Sequence, residues 1–182
     1  MSPPKSVGFV PRESTASTDP CVLQGDPGLN ASVSLQLWTE CQVTRLFPIP
    51  SNGAWDKAFA DTFCPSLLAT FNNTHYDYSG WLNLYKSFNA TIGKTFAHFE
   101  HGLTSTLAVP DANGIGGLAY LIGWEGGYHN YLKKDLWFSD AAFARVATVN
   151  GERQIVEFRE SSNIPNTAPL PEPREWTCAF KD

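Results

Sequence analysis

No lysine- or arginine-rich run longer than the pair Lys133-Lys134 occurs in the 182 residues, and the formal net charge is −5. Phosphate backbones are held by clustered basic faces, so nucleic acid is not expected as a partner. No apolar stretch approaches the ~18 residues a membrane-spanning helix needs. The first apolar run, Val7 to Val10, meets Pro11 at once and is too short for a signal-peptide core. No membrane partner is expected, and the chain reads as cytoplasmic.

Cofactor signals are equally scarce. Cys21, Cys41, Cys64 and Cys178 have no C-x-x-C spacing and no H-x-x-x-H pair occurs, so no metal is expected. The glycines around Gly114–Gly117 sit at a hairpin turn and do not lead a strand into a helix, so the dinucleotide fingerprint fails. There is no G-x-S-x-G nucleophile elbow. The expectation is a protein that works without a cofactor.

What is present is a globular composition: 42% hydrophobic and only 17% charged residues, enough for one domain with its own core. Aromatics reach 13%, a surplus that suits a cavity holding an apolar ligand as well as a core. Cys41 and Cys64 lie in apolar segments and read as buried free thiols. Cys21 and Cys178 lie in the tails, and a disulfide between them stays open. Sequons at Asn30, Asn72 and Asn89 would fit secretion, but this Asn, Ser and Thr content gives about two by chance, so three is weak evidence.

Residues 1–29 and 163–182 are rich in proline and small polar residues and read as an extended arm and tail around a domain at 30–162. The spacing predicts a helix over 31–47 with Asn30 as its N-cap, and a second from Ala54 with Trp55, Phe59 and Phe63 on one face. A short strand over 65–71 precedes a third helix capped at Ser79. Strands are then expected over 95–109, 115–124, 136–149 and 153–159, the last two joined at Asn150-Gly151, a strong hairpin signal. Helices followed by a strand meander imply an α+β fold: a cone-shaped, curved antiparallel sheet with helices packed on its concave face.

Two segments resemble a known family. Ala54–Tyr85 looks like the helix–strand–helix opening of SnoaL-like domains in the nuclear transport factor 2-like superfamily. Phe143–Arg159 resembles that family's closing hairpin. The resemblance covers about 110 residues and implies the cystatin-like α+β barrel of polyketide cyclases, ketosteroid isomerase and scytalone dehydratase. Such enzymes place acid/base groups in an apolar cone, where desolvation tunes their pKa values.

Glu125, within Gly123–Gly127, stands where the cyclases carry a catalytic histidine; it is a candidate base, or a sign that cyclase chemistry is absent. Asp140 lies close to the family's second acidic position. His98 shares a strand face with Phe96 and Glu100, which makes a general-base pair possible. Asn73 falls where ketosteroid isomerase has its carboxylate base, and Asn cannot take a proton. Tyr120 is a candidate hydrogen-bond donor to the substrate and Tyr76 is expected to edge the pocket mouth, with Trp124 and Phe96 as further substrate contacts. The expected function is a cyclase, isomerase or dehydratase acting on a hydrophobic polyketide- or terpenoid-like small molecule. A templating pericyclic catalyst and a non-catalytic binding or assembly protein are the alternatives, and a homodimer is expected.

Overall fold

The computed structural model describes residues 18–46 and 54–164. The element order is α1 (Pro20–Leu23), α2 (Ala31–Leu46), α3 (Trp55–Thr62), β1 (Phe63–Phe71), β2 (Thr74–Tyr76), α4 (Tyr78–Thr95), β3 (Phe96–Pro110), β4 (Gly117–His129), β5 (Lys134–Val149) and β6 (Glu152–Ser162). Most of the expected tail segments, with Cys178, lie outside the described residues. The described part of the N-terminal arm contains α1, which was not expected. Its proline occupies the first helical turn, and Asp19 accepts the Cys21 N–H at 2.8 Å.

Local chemistry sets the longer helices. Asn30 Oδ1 accepts the Val33 N–H at 3.0 Å and starts α2. Asp77, two residues earlier than the expected Ser79, caps α4 by accepting the Gly80 N–H at 2.8 Å. Asn150 and Gly151 both take positive φ, 53° and 88°, as a tight turn between twisted strands requires.

The six strands form one curved, open sheet in the order β2-β1-β6-β5-β4-β3. The expected antiparallel sheet holds for β3 through β6, but β1 runs parallel to β6, so the sheet is mixed. The chain between them, β2, α4 and the β3–β5 meander, makes the long connection that a parallel pairing needs. β3 carries irregularities between Phe96 and His98 and between Leu103 and Ser105, and bulges of this kind bend a strand.

The helices cover the concave face. Leu35 and Leu46 of α2, Phe59 of α3 and Trp81 of α4 are fully buried against Phe63, Leu67, Phe71 and Ile155 of the sheet. Ring contacts run through this core: Phe59 with Phe63 at 4.7 Å, and Trp81 with Phe158 at 5.8 Å. Burying a large apolar side chain contributes about 1.5–3 kcal/mol, which makes this cluster the main support of the cone. α2 is also pinned at the sheet's end, where Ser32 Oγ donates to the Ala108 carbonyl at 2.6 Å. Arg153 Nε donates to the Ile115 carbonyl at 2.6 Å.

Cys21 and Cys41 form a disulfide between α1 and α2, so Cys41 is not the free thiol expected from its apolar surroundings. The pairing follows from α1 folding back on α2, a contact that spacing does not reveal. Cys64 is a buried free thiol, as expected.

Candidate functional site

A cavity of about 60 Å³ opens between α2, α4 and the concave face of β3–β6. Leu103, Leu121, Ala142, Phe88 and Phe158 make its apolar walls. Its polar groups are His101 of β3, Glu125 of β4, Asp140 of β5, Glu160 of β6 and Tyr85 of α4. The volume holds on the order of five waters, so it takes the reacting end of a large lipophilic molecule and not the whole.

Strand alternation places these groups. On β4, Ala119, Leu121, Gly123 and Glu125 point inward while Tyr120, Ile122 and Trp124 point outward. β4 continues to His129, so Glu125 is well inside the strand and only 4% exposed. Burial, and then the nearby Asp140, push its carboxyl up from 4.5 to about 8, which leaves it mostly protonated at neutral pH.

Asp140 pairs with Gly123 on β4. The missing side chain at 123 is what gives the Asp140 carboxylate its place, because a Cβ there would run into its Oδ1. Burial raises Asp140 above its ordinary value, and the main-chain N–H groups of Gly123 and of Asp140 itself offset part of that rise. Glu160 is raised well above the carboxylate range by burial, with Glu125 and Asp140 adding to it. Tyr85 is raised by burial and by the same three acids, and burial lowers the His101 imidazole, which favours its neutral form.

Glu125 and Asp140 are therefore brought together as expected. His98 is not. It lies on the exposed side of β3, with Nε2 2.6 Å from Glu100 Oε1. The irregularity between Phe96 and His98 shifts the strand's alternation, and it is His101 that faces inward, directly across from Glu125. Phe96 is buried, but in a separate small cluster with Ile92 and Phe99. Tyr120 is 46% exposed on the outer face, packed on Phe143 at 5.3 Å, and Tyr76 packs on Trp81 at 5.7 Å without lining the cavity. Trp124 borders the cavity, while its indole lies over Gly102 and 5.6 Å from Trp137 on the outer face.

Sequence reasoning missed Glu160, His101 and Tyr85. Glu160 follows the expected strand end at Arg159 by one residue, and inward parity with Phe158 was the signal that could have found it. Tyr85 sits on the apolar face of α4, where it reads as core.

No family model matches the sequence, and no curated protein is similar to it. Solved structures are similar at low identity. A nuclear transport factor 2-like superfamily protein from Salmonella enterica is 16% identical, covering 78% of this chain and 98% of its own, at a TM-score of 0.52. A candidate aromatic ring hydroxylase from Novosphingobium aromaticivorans is 12% identical over 73% of this chain and 92% of its own, at 0.53. LinA is 10% identical over 76% of this chain and 90% of its own, at 0.51. Helices on the concave face of a curved, open sheet, together with these likenesses, give this chain the nuclear transport factor 2-like fold.

Proposed function

We propose that this protein is a cofactor-independent acid–base catalyst, of the cyclase, isomerase or dehydratase type, working on the reacting end of a lipophilic polyketide- or terpenoid-like molecule. The observation that carries the reading is the Glu125 carboxyl, buried in an apolar cavity beside a second acid and held protonated near neutral pH. Structural relatives of this fold include a protein described as an aromatic ring hydroxylase, which adds weight to small-molecule chemistry without naming the reaction.

The roles follow from the surroundings. Asp140, raised by burial with main-chain N–H groups offsetting part of the rise, is the base that takes a proton from carbon. Glu125 is the acid that gives its proton to the carbonyl oxygen as the enol forms. Tyr85 donates a hydrogen bond to the same developing oxyanion. Returning the proton to a different carbon isomerises the substrate, and expelling a β-hydroxyl dehydrates it.

The test needs no natural substrate. Deuterium exchange into the α-position of 2-cyclohexenone is followed by NMR with the full chain. The wild type accelerates exchange, Glu125→Gln loses roughly 10²–10⁴-fold, and His98→Ala leaves the rate unchanged. Near-full rates in both Glu125→Gln and Asp140→Asn would overturn the acid–base reading in favour of templating. No acceleration by the wild type would favour a binding protein.

We further propose that two copies pair through the outer sheet face, where Tyr120, Ile122, Trp124 and Trp137 are all exposed on adjacent strands.

A further inference from the structure

β3 is the last strand of the sheet, and its second irregularity falls beside the cavity, at Leu103. Leu103 pairs with Gly123 and Ser105 with Ile122, so Thr104 is the extra residue of a bulge. Ser105 thereby shares the outward parity of Ile122, and Thr106 turns inward across from the buried Leu121. Strict alternation after Leu103 would have put Ser105 there instead. The bulge has re-aimed a threonine.

A groove of about 470 Å³ lies between this stretch of β3 and α2, within the roughly 300–1,000 Å³ common for ligand clefts. Thr104, Ser105 and Thr106 line it from the strand, and Gln36, Glu40 and Thr44 from the helix. Pro20 of α1 joins them, on the short helix that the Cys21–Cys41 disulfide ties to α2. Thr44 and Leu103 line both this groove and the acidic cavity, so the two spaces adjoin. Gln36 Nε2 donates to Glu40 Oε1 at 3.0 Å, a pairing that uses one of the amide's two N–H groups.

A second observation is Thr106 itself. Its Oγ1 is buried and has no hydrogen-bond partner. Buried polar atoms ordinarily find partners, and valine would fill the same shape without leaving a hydroxyl unsatisfied. One staggered step of χ1 re-aims that hydroxyl toward a ligand in the groove.

We infer that the groove between α2 and β3 binds an uncharged, polyhydroxylated arm of the substrate, such as a glycosyl group, while the reacting end occupies the cavity. This rests on the cavity being the substrate site, and it names what the rest of the substrate carries. The cavity is too small for a whole molecule, and the groove is a larger space that adjoins it. The substrate is then amphiphilic, with its lipophilic end inside and its hydroxylated arm along α2. Sugar hydroxyls both donate and accept, which matches walls of threonine and serine hydroxyls, an amide and a carboxylate. Glu40 accepts from a hydroxyl and repels an anionic arm. An alkyl arm would cover these polar groups without replacing the hydrogen bonds they make to water.

The experiment is calorimetric titration of the full chain at pH 7 with three derivatives of 4-hydroxyacetophenone: the β-glucoside, the β-glucuronide and the hexyl ether. They share one ketone end, and their arms are neutral and hydroxylated, anionic, or apolar. The glucoside binds roughly tenfold tighter than either of the others. Thr106→Val and Gln36→Leu each weaken the glucoside about fivefold to tenfold and leave the hexyl ether unchanged. Thr106→Val also melts no lower than the wild type, because the hydroxyl it removes has no partner in the free protein. A glucoside that fails to bind, binds no better than the hexyl ether, or ignores both variants overturns the inference. So does a Thr106→Val variant that melts lower and weakens every probe alike, which would make the threonine merely structural. The ketone exchange assay reads separately: exchange without preference for the glucoside leaves the catalytic reading standing, and that preference without exchange removes only the catalytic one.

Discussion

His101 and Glu125 stand directly opposite each other on β3 and β4, both on the concave side of the sheet. Burial drives this pair toward its uncharged forms, lowering the imidazole and raising the carboxyl. The pair is therefore nearly neutral and becomes charged only when a proton moves.

Stability should depend on pH in an uncommon direction for a carboxylate. Glu125 titrates near 8 in the folded chain and near 4.5 unfolded, so between those values the folded state binds more protons. Its contribution is complete below about 4.5 and is lost as pH rises through about 8. The slope is at most about 1.4 kcal/mol per pH unit for one proton. Thermal melts from pH 5 to 9 should show Tm falling across that window, and Glu125→Gln should flatten the fall. A Tm that rises from pH 5 to 8 by the same amount in both proteins would contradict the assignment.

Gly123→Ala should damage the site through its neighbour. The added methyl meets the Asp140 carboxylate, and overpacking of this kind costs roughly 1–3 kcal/mol. Urea unfolding should show that loss. In the double variant with Asp140→Ala most of it should vanish, because the clash has no partner left. Strict additivity of the two substitutions would argue against the contact.

The Cys21–Cys41 disulfide closes a segment with a sequence separation of 20, for which the chain-entropy model gives about 3 kcal/mol. Peptide mapping without reductant should recover the segments around Cys21 and Cys41 as one crosslinked species. Cys64 should resist alkylation until the chain unfolds, since it is buried and free. Cys21→Ser should lower stability by a similar amount in urea. A Cys21–Cys178 crosslink would replace this assignment.

The outer face should associate. Trp137 is 54% exposed and packs against Trp124, an apolar pair presented to solvent. Sedimentation at micromolar concentration should give about twice the 20.1 kDa chain mass, and Trp137→Glu should return it to one chain. A wild-type mass of one chain would remove the homodimer.

Much of this molecule was legible in one dimension because its signals are local. The apolar face of α4, the Asn30 cap of α2 and the Asn150-Gly151 hairpin each depend on a few neighbouring residues, and each forms as their spacing implies. Alternation along β4 turns Glu125 inward and Tyr120 outward, so the expectation that both serve one pocket ran against a period the strand itself carries. Other features depend on distant partners. One irregularity near Phe96 exchanged His98 for His101 at the cavity, since a one-residue slip turns every following side chain to the other face. β1 lies parallel to β6 because the chain returns to it some ninety residues later, as in the Phe71–Glu160 pair, which no local period records. Glu160 and Tyr85 became site residues only when α4 closed over the sheet. Bringing acids from three strands and a tyrosine from a helix to one cavity is a property of the whole enclosure, and the tertiary structure alone decides it.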